Sequence, residues 1–466
     1  MLSDSYRRSR VLTLLLPIAA PLQAMLARGP NVLTAASRAS ALALLFLITT
    51  APLLAQKPDP VPGQVRPLFK LVGQDAGDRF GHALAAIADA NFDQRVDWAV
   101  GSPKASRGAP GAGSVTLYSG ADCSILWRVD GQRAWARFGW AIAATGDVDR
   151  DGTADVLVGA PMGANSAGEA RLLSGRSGKL IWRVTGSAPG EQFGTALAGV
   201  GDVDGDGIPD MAIAAPFADG SAGSKCGRVS WISGRDASTL RTREGAAWEF
   251  FGSSLAATGD TNQDGITDLL VGVPFSDVTN FNAGSAYVYS GADGSELLAF
   301  HGSGIGDQLG THVAGGQDVN GDGIADCALG APGADRGGID AGRVRVHSGL
   351  DGALIHAIDG EAAGDGLHTV ALLGDLDADG KSEWVAGAPS SDRHGQESGS
   401  LLFMDGASGL PLQVLGGAGG NAWLGASLTR LGDWNGDGRP EFLAGAPGHD
   451  DQPRLTGSLQ SFGLPR

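Results

Sequence analysis

Seven short stretches of this chain carry oxygen donors at a spacing that suits a hard cation. They follow the pattern D-x-[DN]-x-D-G-x-x-[DE]. The donors are Asp89, Asn91, Asp93 and Asp97 in the first; Asp147, Asp149, Asp151 and Asp155 in the second; Asp202, Asp204, Asp206 and Asp210 in the third; Asp260, Asn262, Asp264 and Asp268 in the fourth. The fifth has Asp318, Asn320, Asp322 and Asp326; the sixth Asp375, Asp377, Asp379 and Glu383; the seventh Asp433, Asn435, Asp437 and Glu441. Donors two residues apart can point inward from a tightly curled backbone. Glycine at the sixth position permits the sharp turn, a carbonyl near the seventh adds a donor, and the ninth residue closes the shell. Such an all-oxygen shell selects Ca2+ over softer metals. A helix–loop–helix calcium site is excluded: its twelfth position needs glutamate, and the chain has Ile213 and Val271 there, with β-type runs on either side. One such loop could be a solvated turn, but seven in phase point to metal. Without a cation the crowded carboxylates repel one another, so calcium should stabilise the fold by mass action. The first loop is the weakest, because Gln94 replaces its glycine.

These loops are positioned by a repeat. Their first aspartates fall 58, 55, 58, 58, 57 and 58 residues apart. Around each loop the same elements recur: an aromatic-glycine or Leu-Gly pair upstream, an alanine-rich alternating run, the loop, a run ending in Gly-Ala-Pro or similar, a polar loop, and a run ending in Ser-Gly. In the fourth unit these are Phe251-Gly252, residues 253–259, the loop from Asp260, residues 269–274 and residues 285–290, with residues 297–300 closing the unit. Four short strands at a period near 57 make a propeller blade. The expected fold is therefore all-β, a seven-bladed β-propeller with four-stranded blades. The seventh unit stops after its third strand, and a matching fourth strand lies at the other end of the chain. Residues 67–73 should complete the last blade, closing the ring and removing a free edge. Small first-strand residues such as Ala83, Ala85, Ala86, Ala141, Ala143 and Ala144 should line the channel, and Trp127, Trp182 and Trp231 should pack between blades.

Residues 1–55 hold arginines ahead of two apolar stretches and a small residue at a plausible cut site, Ala55, which reads as a secretory signal or targeting segment. Residues 56–66 follow as a linker, and 67–466 form the propeller. The expected location is secreted or cell-surface, extracellular or periplasmic; an uncleaved anchor is the alternative. The formal charge of -17 argues against a nucleic-acid partner. Cys123, Cys226 and Cys327 are too far apart and too few for a disulfide framework or a thiolate metal site.

Phe138-Gly139, the loop from Asp147 to Asp155, and Gly159-Ala160-Pro161 together resemble one FG-GAP repeat, the unit of the integrin α-subunit N-terminal β-propeller. The resemblance runs over about residues 67–466. It implies calcium in the strand 1–2 loops and ligands on the opposite face, made by the 2–3 and 4–1 loops. It is imperfect at Leu309-Gly310, Leu424-Gly425 and Gly366-Leu367, and at Gly101-Ser102-Pro103, Ala214-Ala215-Pro216 and Gly272-Val273-Pro274. The stalk and membrane span of an integrin subunit have no counterpart, so no integrin β chain is expected as partner, and a monomer is expected. The function this suggests is a calcium-binding adhesion or ligand-binding module for an extracellular protein or glycan. The competing expectation is a polysaccharide lyase or hydrolase with its site at the channel mouth. His82, Trp140 and His368 share one repeat position there, and Trp135 and Trp248, in 4–1 loops, could stack on sugars. No nucleophile elbow or H-E-x-x-H motif supports catalysis.

Overall fold

The computed structural model describes residues 65–417, 419–448 and 456–463. The signal segment and nearly all of the linker expected from sequence lie outside the described residues. Among the described residues, seven four-stranded antiparallel sheets make up the fold, with almost no helix. In the first blade the strands are Ala83–Ala86, Trp98–Ser102, Ser114–Tyr118 and Ile125–Asp130, and sheet order follows chain order. First strands of neighbouring blades pack on one another, which makes them the inner ring. Second strands such as Val156–Ala160 and Asp268–Val273 are buried along their whole length, because a neighbouring blade covers each face. They therefore read as short continuous apolar runs. Fourth strands such as Thr239–Glu244 face solvent and tolerate arginine.

The ring closes as a shared sheet. Arg66–Val72 pairs antiparallel with Ser458–Gly463, Leu71 lying opposite Leu459, so the strand from the start of the propeller completes the last blade one residue earlier than expected at each end. Phe69 on this strand stacks on Trp98 of the first blade, ring centroids 5.2 Å apart.

Blade-to-blade contact explains the conserved spelling of the repeat units. Phe138 of the second blade is fully buried and bridges Gly113 of the first. The glycine of each Gly-Ala-Pro run lies against the carbonyl of the next blade's Phe-Gly glycine: a Cβ on Gly159 would overlap the Gly194 oxygen, and the pairs Gly101–Gly139, Gly272–Gly310 and Gly445–Gly81 repeat this. The sixth blade is one residue short at this point. Leu367 takes the aromatic slot by bridging Gly342, and the His368 carbonyl faces Gly330 where other blades present a glycine.

Of the three tryptophans assigned to interblade packing, Trp231 and Trp127 are buried and Trp182 is half-buried. The indole N–H groups of Trp127 and Trp182 donate to Gly175 O at 2.7 Å and Gly234 O at 3.2 Å, each in the following blade. All three cysteines are free. Among the described residues no helix is long and apolar enough to cross a membrane.

Candidate functional site

In all seven loops the first aspartate curls the chain by accepting backbone N–H groups with both oxygens. Asp147 Oδ1 takes the Asp151 N–H at 3.0 Å and Oδ2 the Gly152 N–H at 2.9 Å; Asp202 takes those of Asp206 at 3.0 Å and Gly207 at 2.8 Å. The other five loops repeat this pattern. The curl gathers carboxylate oxygens within 4.8 Å of one another in three loops: Asp147, Asp149 and Asp155; Asp202, Asp204 and Asp206; Asp375, Asp377 and Glu383. These groups are close enough to hold a metal ion, and an all-oxygen donor set fits a hard divalent one. In the first, fourth and fifth loops asparagine at the third position donates its amide to the fifth-position carboxylate, at 2.7, 2.8 and 2.8 Å. Those loops relieve part of their repulsion internally. Gln94 adopts the left-handed conformation its glycine counterparts use, φ 69°, and its N–H still reaches Asp89 at 2.7 Å.

The ninth-position acid is buried in every loop. Asp155 shows why: Oδ2 accepts the Val148 N–H at 2.9 Å and Oδ1 the Gly175 N–H at 3.0 Å, so one carboxylate ties the loop to the turn after the third strand. Asp97, Asp210, Asp268 and Asp326 make the same two bonds. Burial pushes Asp97, Asp155 and Asp326 up to about 6, and Glu383 and Glu441 up to about 7, against the opposing pull of backbone N–H donors. A carboxylate held in this way is costly to ionise until a cation offsets it.

At the opposite end of the strands lie the 2–3 and 4–1 loops. His82 and Trp140 meet there, ring centroids 4.5 Å apart. His368 is not joined to them. Its Nδ1 lies 2.6 Å from Gly366 O, and burial holds its pKa below the ordinary histidine value. Trp135 and Trp248 are 69% and 58% exposed. Both hold left-handed backbone, φ 61° and 67°, at a position where Gly77, Gly190, Gly306, Gly364 and Asn421 stand in the other blades. The ammonium of Lys225 sits 4.9 Å from the Trp248 ring, and Phe250 beside it packs on Phe217 and Phe275 at 5.0 and 5.1 Å.

The Phe-Gly slot, the Gly-Ala-Pro glycine and the acidic loop between them form one recurring interblade unit. Four blades match the FG-GAP repeat. The matches to the FG-GAP repeat run over residues 138–173, 193–225, 251–289 and 309–347. The chain is also similar to Integrin alpha-5 of Xenopus laevis, 30% identical over 232 residues, which is 46% of this chain and 21% of that protein. It is 31% identical over 207 residues to Integrin alpha-V of Gallus gallus, 40% of this chain and 19% of the relative. With Integrin alpha-IIb of Homo sapiens it shares 36% identity over 171 residues, 32% and 16% of the two chains. The matched stretch is thus about a fifth or less of each relative's own length. Among solved structures, a crystal structure of BBS1N in complex with ARL6DN aligns with a TM-score of 0.52 at 9% identity, over 87% of this chain and 98% of that one, a likeness of fold alone.

Two features of the acidic loops escaped the sequence pattern. Asp405 gathers with Asp377 and Asp379 at the sixth loop. It stands in the turn after the third strand, where five other blades have serine, and Ser119 and Ser174 donate there to the fifth-position acids Asp93 and Asp151 at 2.9 and 3.2 Å. The Asp405-Gly406 spelling was the available signal. The second is the double hydrogen bond of the ninth acid in five loops, which depends on a turn 20 or more residues away in chain order.

Proposed function

We propose that this chain is a calcium-stabilised propeller, secreted or held at the cell surface, that acts as an adhesion or ligand-binding module through the face opposite the acidic loops. The observation that carries the reading is the pair Trp135 and Trp248: large apolar side chains held open to solvent on left-handed backbone where four blades use glycine. A bulky residue there is strained, and strain at a surface loop is a mark of a functional position. Indoles presented this way suit the faces of sugars or the side chains of a protein ligand. Similarity to integrin α subunits supports an extracellular partner. Calcium would be held by Asp147, Asp149 and Asp155, by Asp202, Asp204 and Asp206, and by Asp375, Asp377 and Glu383, with Asp379 and Asp405 beside the last set. It would supply the positive charge that these crowded carboxylates need, buried Asp155 and Glu383 above all, and the chain's own residues set the loop curl.

Glycan and protein arrays probed with residues 56–466, with and without calcium, test the reading. A captured ligand should be lost on Trp135→Gly together with Trp248→Gly. Glycine relieves the backbone, so that loss cannot be ascribed to misfolding. Binding that survives both changes would remove the face from the proposal. Turnover of a polysaccharide that disappears on His82→Ala or His368→Ala would assign a lyase or hydrolase instead.

A further inference from the structure

On a chain with a formal charge of -17, one sector of the channel mouth is cationic. Two adjacent 4–1 turns bring it together. In the first, the His82 N–H closes on Arg79 O at 3.1 Å; in the second, the Trp140 N–H closes on Arg137 O at 3.1 Å. The two turns touch through the His82–Trp140 ring contact. Arg137 lies over the Trp140 ring at 5.2 Å, and Arg79 over Trp423 of the last blade at 5.4 Å. Lys104, exposed at the start of the first blade's 2–3 loop, is near enough to interact with both guanidinium groups. Among the described residues no carboxylate forms an ion pair with any of these three cations. Glu397 on the same rim is engaged by the Trp423 indole N–H at 2.8 Å.

Such an arrangement costs the free protein energy. Arg79 and Lys104 are both pushed below their ordinary pKa, by desolvation and then by repulsion from neighbouring cations. His82 is driven down to about 4 by the same causes, so it stays neutral between them. Packing does not demand arginine at this place. The equivalent residues in the third and fifth blades are Gln192 and Gln308, with the same left-handed backbone, φ 56° and 57° against 57° for Arg79 and 58° for Arg137. Guanidinium groups fixed on indole faces are pre-organised forks for an oxyanion.

Resting on the ligand-face reading above, we infer that Arg79, Lys104 and Arg137 form a subsite for a carboxylate-bearing saccharide. The sugar ring would be taken by the exposed Trp135, two residues from Arg137 on the same loop. An acidic peptide satisfies the charge but leaves the open indole face without a matching flat ring edge.

The test is calorimetry on the calcium-loaded chain with tetragalacturonate, neutral cellotetraose and hexaglutamate. Arg79→Gln with Arg137→Gln copies the third and fifth blades and should not lower Tm in calcium; Lys104→Gln, an exposed change, is a second variant, and Lys179→Gln on the calcium face is the control. Tetragalacturonate should bind, and the double variant should weaken it by about tenfold or more, the weight of one hydrogen bond to a charged group. Lys104→Gln should weaken it as well, and Lys179→Gln should not. Hexaglutamate binding as tightly as tetragalacturonate overturns the saccharide assignment. Cellotetraose binding equally well, or an unaltered affinity in the double variant, overturns the oxyanion subsite while leaving the ligand-face reading intact. Failure of all three probes also overturns the subsite; the arrays with Trp135→Gly and Trp248→Gly then decide separately whether the face binds anything.

Discussion

At the scale of single residues, the left-handed positions carry the most information. Gln94 supports the same loop curl as glycine does elsewhere, at a steric cost that glycine avoids. Gln94→Gly should therefore raise stability by about 1 kcal/mol, less the added freedom of the unfolded chain; a calcium-saturated denaturant melt measures it, and a drop in stability contradicts the strain argument. Trp135→Gly should likewise raise Tm slightly while weakening ligand capture. The buried ninth acid behaves differently, because it is both a structural tie and a candidate ligand. Asp155→Asn keeps one acceptor oxygen and places an amide against the Val148 or Gly175 N–H. It should destabilise the protein in calcium by about 2 kcal/mol, the cost of a buried donor left unpaired. An unchanged melt would show that the two backbone bonds matter little.

At the scale of the element, each pair of neighbouring blades shares a buried apolar cluster, and close backbone contacts at glycine set how near the blades approach. Gly159→Val would drive a side chain into the Gly194 carbonyl of the next blade, and about 3 kcal/mol or more should be lost. The matching change at a solvent-facing fourth strand, Arg183→Val, should cost far less, and equal losses would mean that blade spacing adapts. The closing strand can be tested by removing residues 65–72, which leaves Ser458–Gly463 as an unpaired edge. Oligomers or a broadened melt are expected from that deletion, and a sharp monomeric melt at the original temperature would show that closure contributes nothing. Much of this was legible in the chain: strand count, blade boundaries and the strand that closes the ring all follow from repeat spacing. The sixth blade's missing residue was visible as Gly366-Leu367, but its consequence, His368 standing where other blades present glycine, needed the neighbouring Gly330 in view.

At the scale of the whole molecule, metal and proton compete for the same acids. The folded-state pKa values of about 6 for Asp97, Asp155 and Asp326, and about 7 for Glu383 and Glu441, lie above the roughly 4 of an unfolded chain. The folded protein then binds these protons more tightly, so in chelator its stability should fall as pH rises from about 4 to about 7. Calcium should raise Tm at neutral pH and abolish that fall. Melts in EGTA and in calcium at about pH 5 and pH 7 decide it, and a Tm in EGTA that climbs with pH sinks the argument. The chain alone determined the ring of seven blades and the place of each acidic loop, because both are periodic and a period survives without coordinates. Only the tertiary structure decided what is not periodic. Two tryptophans hold backbone made for glycine, five of the ninth-position acids are tied to a distant turn, and three cations from three loops gather without an ion-paired carboxylate among the described residues. Such groupings join residues far apart in the chain, and their chemistry exists only once the blades have packed.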